Sequence, residues 1–245
     1  MPHTCHNCGN TFEGNFCNNC GQPAHLHPIN AKYILHDVQH GLFHFDYGIF
    51  YTLWQLLIRP GHTVREYIQG KRIAHFAPVS LVLIMATLYG FIYHLFDINT
   101  FRYSTSEDVN YNNVNEWLGH HFSLFTLVTI PYYAFFSWLF FIRRGYNFSE
   151  HIVLNCFLAS QRLCISILAI PFLYYAKSKE EIAMITCILT LIYLFLAYRG
   201  FSQFFNTIPK WKALLLTTLC YIVSITVMTI CAALILVEVK PAAVQ

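Results

Sequence analysis

Four cysteines near the N-terminus, Cys5, Cys8, Cys17 and Cys20, form two C-x2-C pairs separated by eight residues, and a glycine, Gly9 or Gly21, follows each pair. A knuckle of this kind presents two thiolates from one tight turn, with the glycine accepting positive φ, and two knuckles supply four soft ligands at tetrahedral corners. The pattern predicts a zinc site with a closed shell and no position left for water, so Zn(2+) is expected as a structural cofactor. His3 and His6 are the alternative ligands nearby. A segment this short cannot fold on its own core, so the metal would supply most of its folding energy. Residues 1–31 contain no Lys or Arg. That removes the phosphate-neutralising term on which nucleic-acid affinity depends, which argues against nucleic acid. A cytosolic protein partner, or docking onto the rest of the chain, is the expected role.

A second chemistry-bearing residue is Arg162, inside the apolar run "IVLNCFLASQRLCISILAIPFLYY" at 152–175. At about 100° per residue, His151, Asn155, Arg162 and Ser166 fall within a stripe of roughly 60°, and Ala169 extends it with a small side chain suited to close helix packing. Exposing Arg162 to lipid near the middle of a span costs at least ~2.5 kcal/mol, so the stripe is expected to face protein or water. No carboxylate lies in the apolar interior of any span, and Glu150 is about 18 Å away along the helix. A guanidinium so placed is satisfied by backbone carbonyls, by a water-filled cavity or by a bound anion. The first solution makes Arg162 structural. The last makes an anion or lipid-headgroup site of His151, Asn155, Gln161 and Arg162, opening toward a basic collar of Arg59, Arg65, Lys71 and Arg72. His94, Glu150 and His151 are the groups with acid–base chemistry, or else interfacial hydrogen-bonding groups.

The elements that must hold these residues follow from composition and pattern. The chain is 56% hydrophobic, 17% aromatic and only 11% charged, outside the usual range of soluble domains. Cys156, Cys164, Cys187, Cys220 and Cys231 stand singly in apolar stretches and read as small hydrophobes. Five segments are long enough to cross a bilayer of about 30 Å, at 78–97, 122–142, 152–175, 182–198 and 213–237. These make a bundle over 78–237, followed by a tail at 238–245. The zinc ribbon occupies 1–22, a proline-containing linker 23–31, and interfacial amphipathic helices with the basic collar 32–77. From Lys32 the residues Ile34, Leu35, Val38 and Leu42 recur at helical spacing, with His36, His40 and His44 on the polar side. In "TLWQLLIRPGHTVREYIQGKR", residues 52–72, the apolar run before Arg59 is too short to span and predicts an interfacial or re-entrant helix ending at the Arg59-Pro60-Gly61 turn. A second short helix is expected from Thr63, as N-cap, to Gln69, with Gly70 as its stop.

No signal peptide is visible, which keeps the N-terminus cytosolic. With that orientation the inner flanks hold Arg59, Arg65, Lys71, Arg72, Arg143, Arg144, Arg199, Lys210 and Lys212. The outer ones hold only Arg102, Lys177, Lys179 and Lys240, as the positive-inside rule requires. The loop with Glu107, Asp108 and Glu116 is then extracytoplasmic.

The ribbon "CHNCG...FCNNCGQ", the 52–72 block with Pro78 opening a span, and "YNFSEHIVLN" at 146–155 together resemble a bacterial family of zinc-ribbon multi-pass membrane proteins, a domain-of-unknown-function family. The positions that match its pattern are Thr52, Arg59, Pro60, Gly61, Arg65, Tyr67, Gly70, Lys71, Arg72, Glu150 and His151. The resemblance implies architecture only: a ribbon, then an all-α integral membrane bundle of five transmembrane helices in the inner, cytoplasmic membrane. It implies no activity. Membrane lipids are the surrounding partners, and few spans per chain are compatible with a homo-oligomer.

The function expected is nonenzymatic: transport, pore formation or assembly and scaffolding. The alternative is a membrane enzyme acting on a lipid or polyprenyl phosphate, held by Arg162 and the collar. The spans carry no paired carboxylates, and no H-E-x-x-H or G-x-S-x-G pattern appears, which weighs against the enzyme.

Overall fold

A computed structural model describes residues 2–34, 48–99 and 111–239 of the chain. The amphipathic stretch expected beyond Ile34, including His36, His40 and His44, lies outside those residues, as do Arg102, Glu107, Asp108 and Lys240.

The N-terminal module is two knuckles on a minimal hairpin. Strand β1 (His3–Thr4) pairs antiparallel with β2 (Thr11–Phe12), His3 lying opposite Phe12. In the first knuckle the Cys5 amide donates to Asn10 O and the Gly9 amide to Cys5 O; in the second, Cys17 donates to Gln22 O and Gly21 to Cys17 O. The glycines have φ of 75° and 74°, the left-handed region in which a Cβ is costly. The linker ends at Asn30, whose side chain accepts the Tyr33 amide at 2.8 Å and starts a helical turn.

Helix α1 (Gly48–Ile58) buries Ile49, Thr52 and Leu56 and leaves Phe50, Trp54 and Ile58 exposed on the opposite stripe. Helix α2 is Pro60–Ile68. It starts three residues before the expected Thr63 because Pro60 sits at its first position, where a missing N–H costs nothing. The Thr63 hydroxyl instead donates to Arg59 O at 3.0 Å. Gly70, with φ 114°, ends this unit as anticipated.

Five longer helices follow: α3 (Pro78–Leu95), α4 (Tyr111–Phe140), α5 (Phe148–Tyr175), α6 (Lys179–Phe204) and α7 (Lys210–Val239). Each contains a stretch long and apolar enough to cross a membrane, at the places read from the sequence. Four of them run past the apolar segments because polar caps and flanks extend the hydrogen-bonded ladder. α5 begins in a full capping box, in which Asn147 accepts the Glu150 amide at 2.9 Å and Glu150 accepts the Asn147 amide at 2.7 Å. Glu150 thus serves the helix terminus.

α5 is the centre of the bundle and packs on α3, α4 and α6, while α7 packs on α4 and α6. Val153, Leu154 and Phe157 on α5 are fully buried, against Leu81 and Val82 of α3 and Leu56 of α1. A cluster of aromatic rings, Phe141, Tyr146, Phe201, Phe204 and Phe205, lies at the end nearest the knuckles. There Phe141 stacks on Phe205 at 4.4 Å and Tyr146 lies tilted against Phe204 at 4.3 Å, locking the α4–α5 connection to the α6–α7 connection. α6 has fully buried residues only at this end, Gly200, Phe201 and Phe204; the rest of its apolar span is half-buried or exposed.

Candidate functional site

The sequence pointed to two places, the cysteine knuckles and the stripe around Arg162. The four Sγ atoms of Cys5, Cys8, Cys17 and Cys20 lie within 4.8 Å of one another, Cys5 to Cys20 at 3.5 Å and Cys8 to Cys17 at 3.6 Å. Tetrahedral zinc thiolate requires sulfurs about 3.8 Å apart for bonds of ~2.3 Å, whereas a disulfide needs ~2.05 Å. The arrangement therefore fits a metal ion and not a disulfide pair. Burial pushes the Cys5 thiol up to about 11. The Asn19 side chain pulls Cys8 down to about 6.

The module is docked on its own chain. Gln22, 1% exposed, accepts the Ile73 amide at 3.1 Å. Arg72 donates to His27 O at 2.8 Å, with its guanidinium 4.6 Å from the Tyr33 ring centroid. A Cβ on Gly70 would lie 2.6 Å from Leu26 Cδ1. Asn147 donates to Ile29 O at 3.2 Å, and Ile29 is buried in the main core.

The basic collar is largely consumed inside the chain. Glu66, which sequence reasoning passed over, binds Arg59 through both carboxylate oxygens at 2.9 and 3.4 Å and Lys71 at 3.6 Å. His75 Nε2 stands 4.0 Å from the same carboxylate. Burial, partly offset by Glu66, holds His75 down at about 4, so it is neutral near pH 7. Arg65 donates to His62 Nδ1 at 2.7 Å. Burial and the neighbouring Arg65 charge both lower the pKa of His62. None of the four collar cations lines the cavity at Arg162. A Glu six residues after Pro60 on the same short helix was the available signal.

The cavity itself, about 80 Å³, lies where α5 and α7 do not pack on each other, with α4 and α6 closing its flanks. Arg162 reaches into it from α5, facing Tyr133 of α4, with the guanidinium carbon 5.7 Å from the ring centroid. Tyr193 of α6 and Tyr221 of α7 line the same space and lie within electrostatic reach of the guanidinium. The Tyr193 hydroxyl meets Ser166 Oγ at 2.7 Å. Among the described residues Arg162 makes no hydrogen bond and no ion pair, and no Asp or Glu lines the cavity. Thr217 of α7 also lines it; it is 2% exposed, and its hydroxyl has no partner among the described residues.

The other residues of the expected anion site are spoken for. Gln161, 1% exposed, donates to Leu56 O at 2.6 Å and so bolts α1 to α5. Asn155 donates to Ser137 Oγ at 2.9 Å and to His151 O at 2.8 Å. His151 is fully buried, with Nδ1 2.9 Å from the same Ser137 Oγ, which also donates to Ala134 O at 3.0 Å. A hydroxyl has one proton and two lone pairs. With the proton given to Ala134, Ser137 accepts from both Asn155 and the His151 Nδ1–H. That saturates the serine and leaves His151 Nε2 as a buried acceptor without a partner.

A helical bundle with five apolar helices of spanning length and a tetra-cysteine cluster suggests a multi-pass membrane protein with a metal-binding appendage. A family model described as a protein of unknown function, DUF3667, matches residues 46–90, the stretch that holds α1, α2 and most of α3. No curated protein and no solved structure matches the chain.

Proposed function

We propose that this chain is a nonenzymatic multi-pass membrane protein that takes an oxyanion, a phosphate or a group carrying one, into the cavity beside Arg162 as a step in transport. The observation that carries this reading is a guanidinium without hydrogen bond or counter-ion among the described residues. It shares its cavity with the unpartnered Thr217 hydroxyl and with no acid. Tyr193 gives its proton to Ser166, whose own goes to Arg162 O, and Tyr133 gives its to Met228 Sδ, so the donors left to meet an oxyanion are the guanidinium and the Tyr221 and Thr217 hydroxyls. Insertion in a membrane is supported by α6, which exposes Met184, Ile188, Leu191 and Phe195 along its apolar span. In this reading the knuckle module lies on the cytosolic face of a bacterial inner membrane, supported by the excess of Lys and Arg on the inner flanks, and its structural metal is zinc, supported by the four thiolates. A nonenzymatic role rests on the saturated Ser137 and on Glu150, which is occupied in its capping box.

Binding of inorganic phosphate to the full-length protein in lipid nanodiscs tests this, with a parallel arm in which the nanodisc carries phosphatidic acid. Arg162→Leu is expected to weaken binding at least about tenfold, with Arg162→Lys intermediate, because a charged hydrogen-bonded contact is worth about 1.5–3 kcal/mol. Equal binding by wild type and Arg162→Leu in both arms sinks the reading. Loss in the phosphatidic acid arm alone identifies a lipid headgroup as the source of the phosphate.

A further inference from the structure

The knuckle module, the hairpin of α1 and α2, and the Arg162 cavity are joined by a continuous set of contacts. Gln22 belongs to the second knuckle, since its carbonyl accepts the amide of the metal-ligand candidate Cys17 at 2.8 Å. Its side chain is buried and accepts the Ile73 amide. Two residues on, His75 is buried beside Glu66, which holds Arg59 and Lys71, and the Phe76 amide donates to Thr52 Oγ1 of α1 at 2.8 Å. In the last turn of α1 the Leu56 carbonyl takes the Gln161 side chain from α5. Gln161 precedes Arg162 and lines the same cavity.

The geometry points to the metal-loaded knuckle as a clasp. It holds 70–76, and through them α1, against α5, and thereby sets the affinity of the Arg162 cavity for its anion. The physical basis is that the four thiolates are the module's means of holding its shape, since the buried residues of its own core are only Cys5, Phe12 and Cys17. Without the ion, the turn that presents Gln22 has no reason to persist. The Ile73 amide then loses its acceptor, and the loop that positions Thr52 and Glu66 keeps only its own contacts and those of the linker, Arg72 with His27 O and Gly70 with Leu26. The regulatory half of the inference rests on the anion reading above; the clasp itself does not.

Full-length protein in nanodiscs, metal-loaded or stripped with a strong zinc chelator, is compared by hydrogen exchange and by phosphate binding. Metal content is read by mass spectrometry. Stripping is expected to speed exchange of the peptides covering 69–76 and 49–58, leave the α5 core peptide protected, and weaken phosphate binding about tenfold, a typical coupling between linked sites. Gln22→Ala is expected to reproduce both effects with the metal retained. Unchanged exchange at 69–76 after complete metal loss overturns the clasp. Faster exchange with unchanged phosphate affinity overturns the coupling while leaving the clasp. Absence of phosphate binding by the loaded protein removes the anion reading, and the exchange data still decide the clasp.

Discussion

Glu66 gathers Arg59, Lys71 and His75 around one carboxylate, and His75 bears the cost of the arrangement because it is buried with Nδ1 unpartnered. Its folded pKa of about 4 lies below the ordinary 6.5. In the unfolded chain His75 takes up a proton at higher pH than in the fold, so the unfolded state binds more protons between those values. The stabilising contribution of the neutral ring is complete above pH 6.5 and is lost as pH falls toward about 4. His75→Phe, which keeps a ring against Tyr51, is expected to flatten the fall of the apparent melting temperature over that window. An unchanged slope assigns the acid sensitivity elsewhere. Thr217 makes the same point about residues from the other side. A threonine in an apolar span is ordinary in sequence, and only the cavity it faces makes it a candidate ligand.

Between elements, the decisive contact is the apex of α1 and α2 against α6. The Gly61 amide donates to Gln203 Oε1 at 3.1 Å, and a Cβ there would sit 2.2 Å from Gly200 O and 2.4 Å from Phe204 N. Both are backbone atoms of a packed helix end and cannot move aside. At Gly200 an added Cβ would meet Leu158 Cδ2 at 2.6 Å, the far end of a flexible side chain. Gly61→Ala is therefore expected to lose about 2–3 kcal/mol and Gly200→Ala clearly less, read as apparent melting temperatures in nanodiscs. Equal losses mean the apex is not the tight contact. The Arg-Pro-Gly turn was legible as a helix break. Its glycine was legible only as a turn residue, because the need for a missing side chain comes from α6, almost 140 residues further along the chain.

For the whole molecule, orientation follows from charge and is open to direct test. An impermeant thiol reagent applied to intact cells is expected to label Lys177→Cys and to reach Arg143→Cys, exposed at the knuckle end, only after permeabilisation. The reverse pattern turns the protein over. The sequence by itself determined the two knuckles, the five apolar helices and the sharing of one α5 face by His151, Asn155, Arg162 and Ser166. Those features are local: ligand spacing, run length and a 3.6-residue period need no distant partner. Tertiary structure alone decided which of the polar groups are free. Gln161 was consumed by Leu56 O, Arg59 by Glu66, and His151 with Asn155 by Ser137 of a neighbouring helix. Arg162 kept its donors because α5 and α7 leave space between them. A hydrogen bond is settled by which groups the packing brings within about 3 Å, and spacing along one helix carries no information on that.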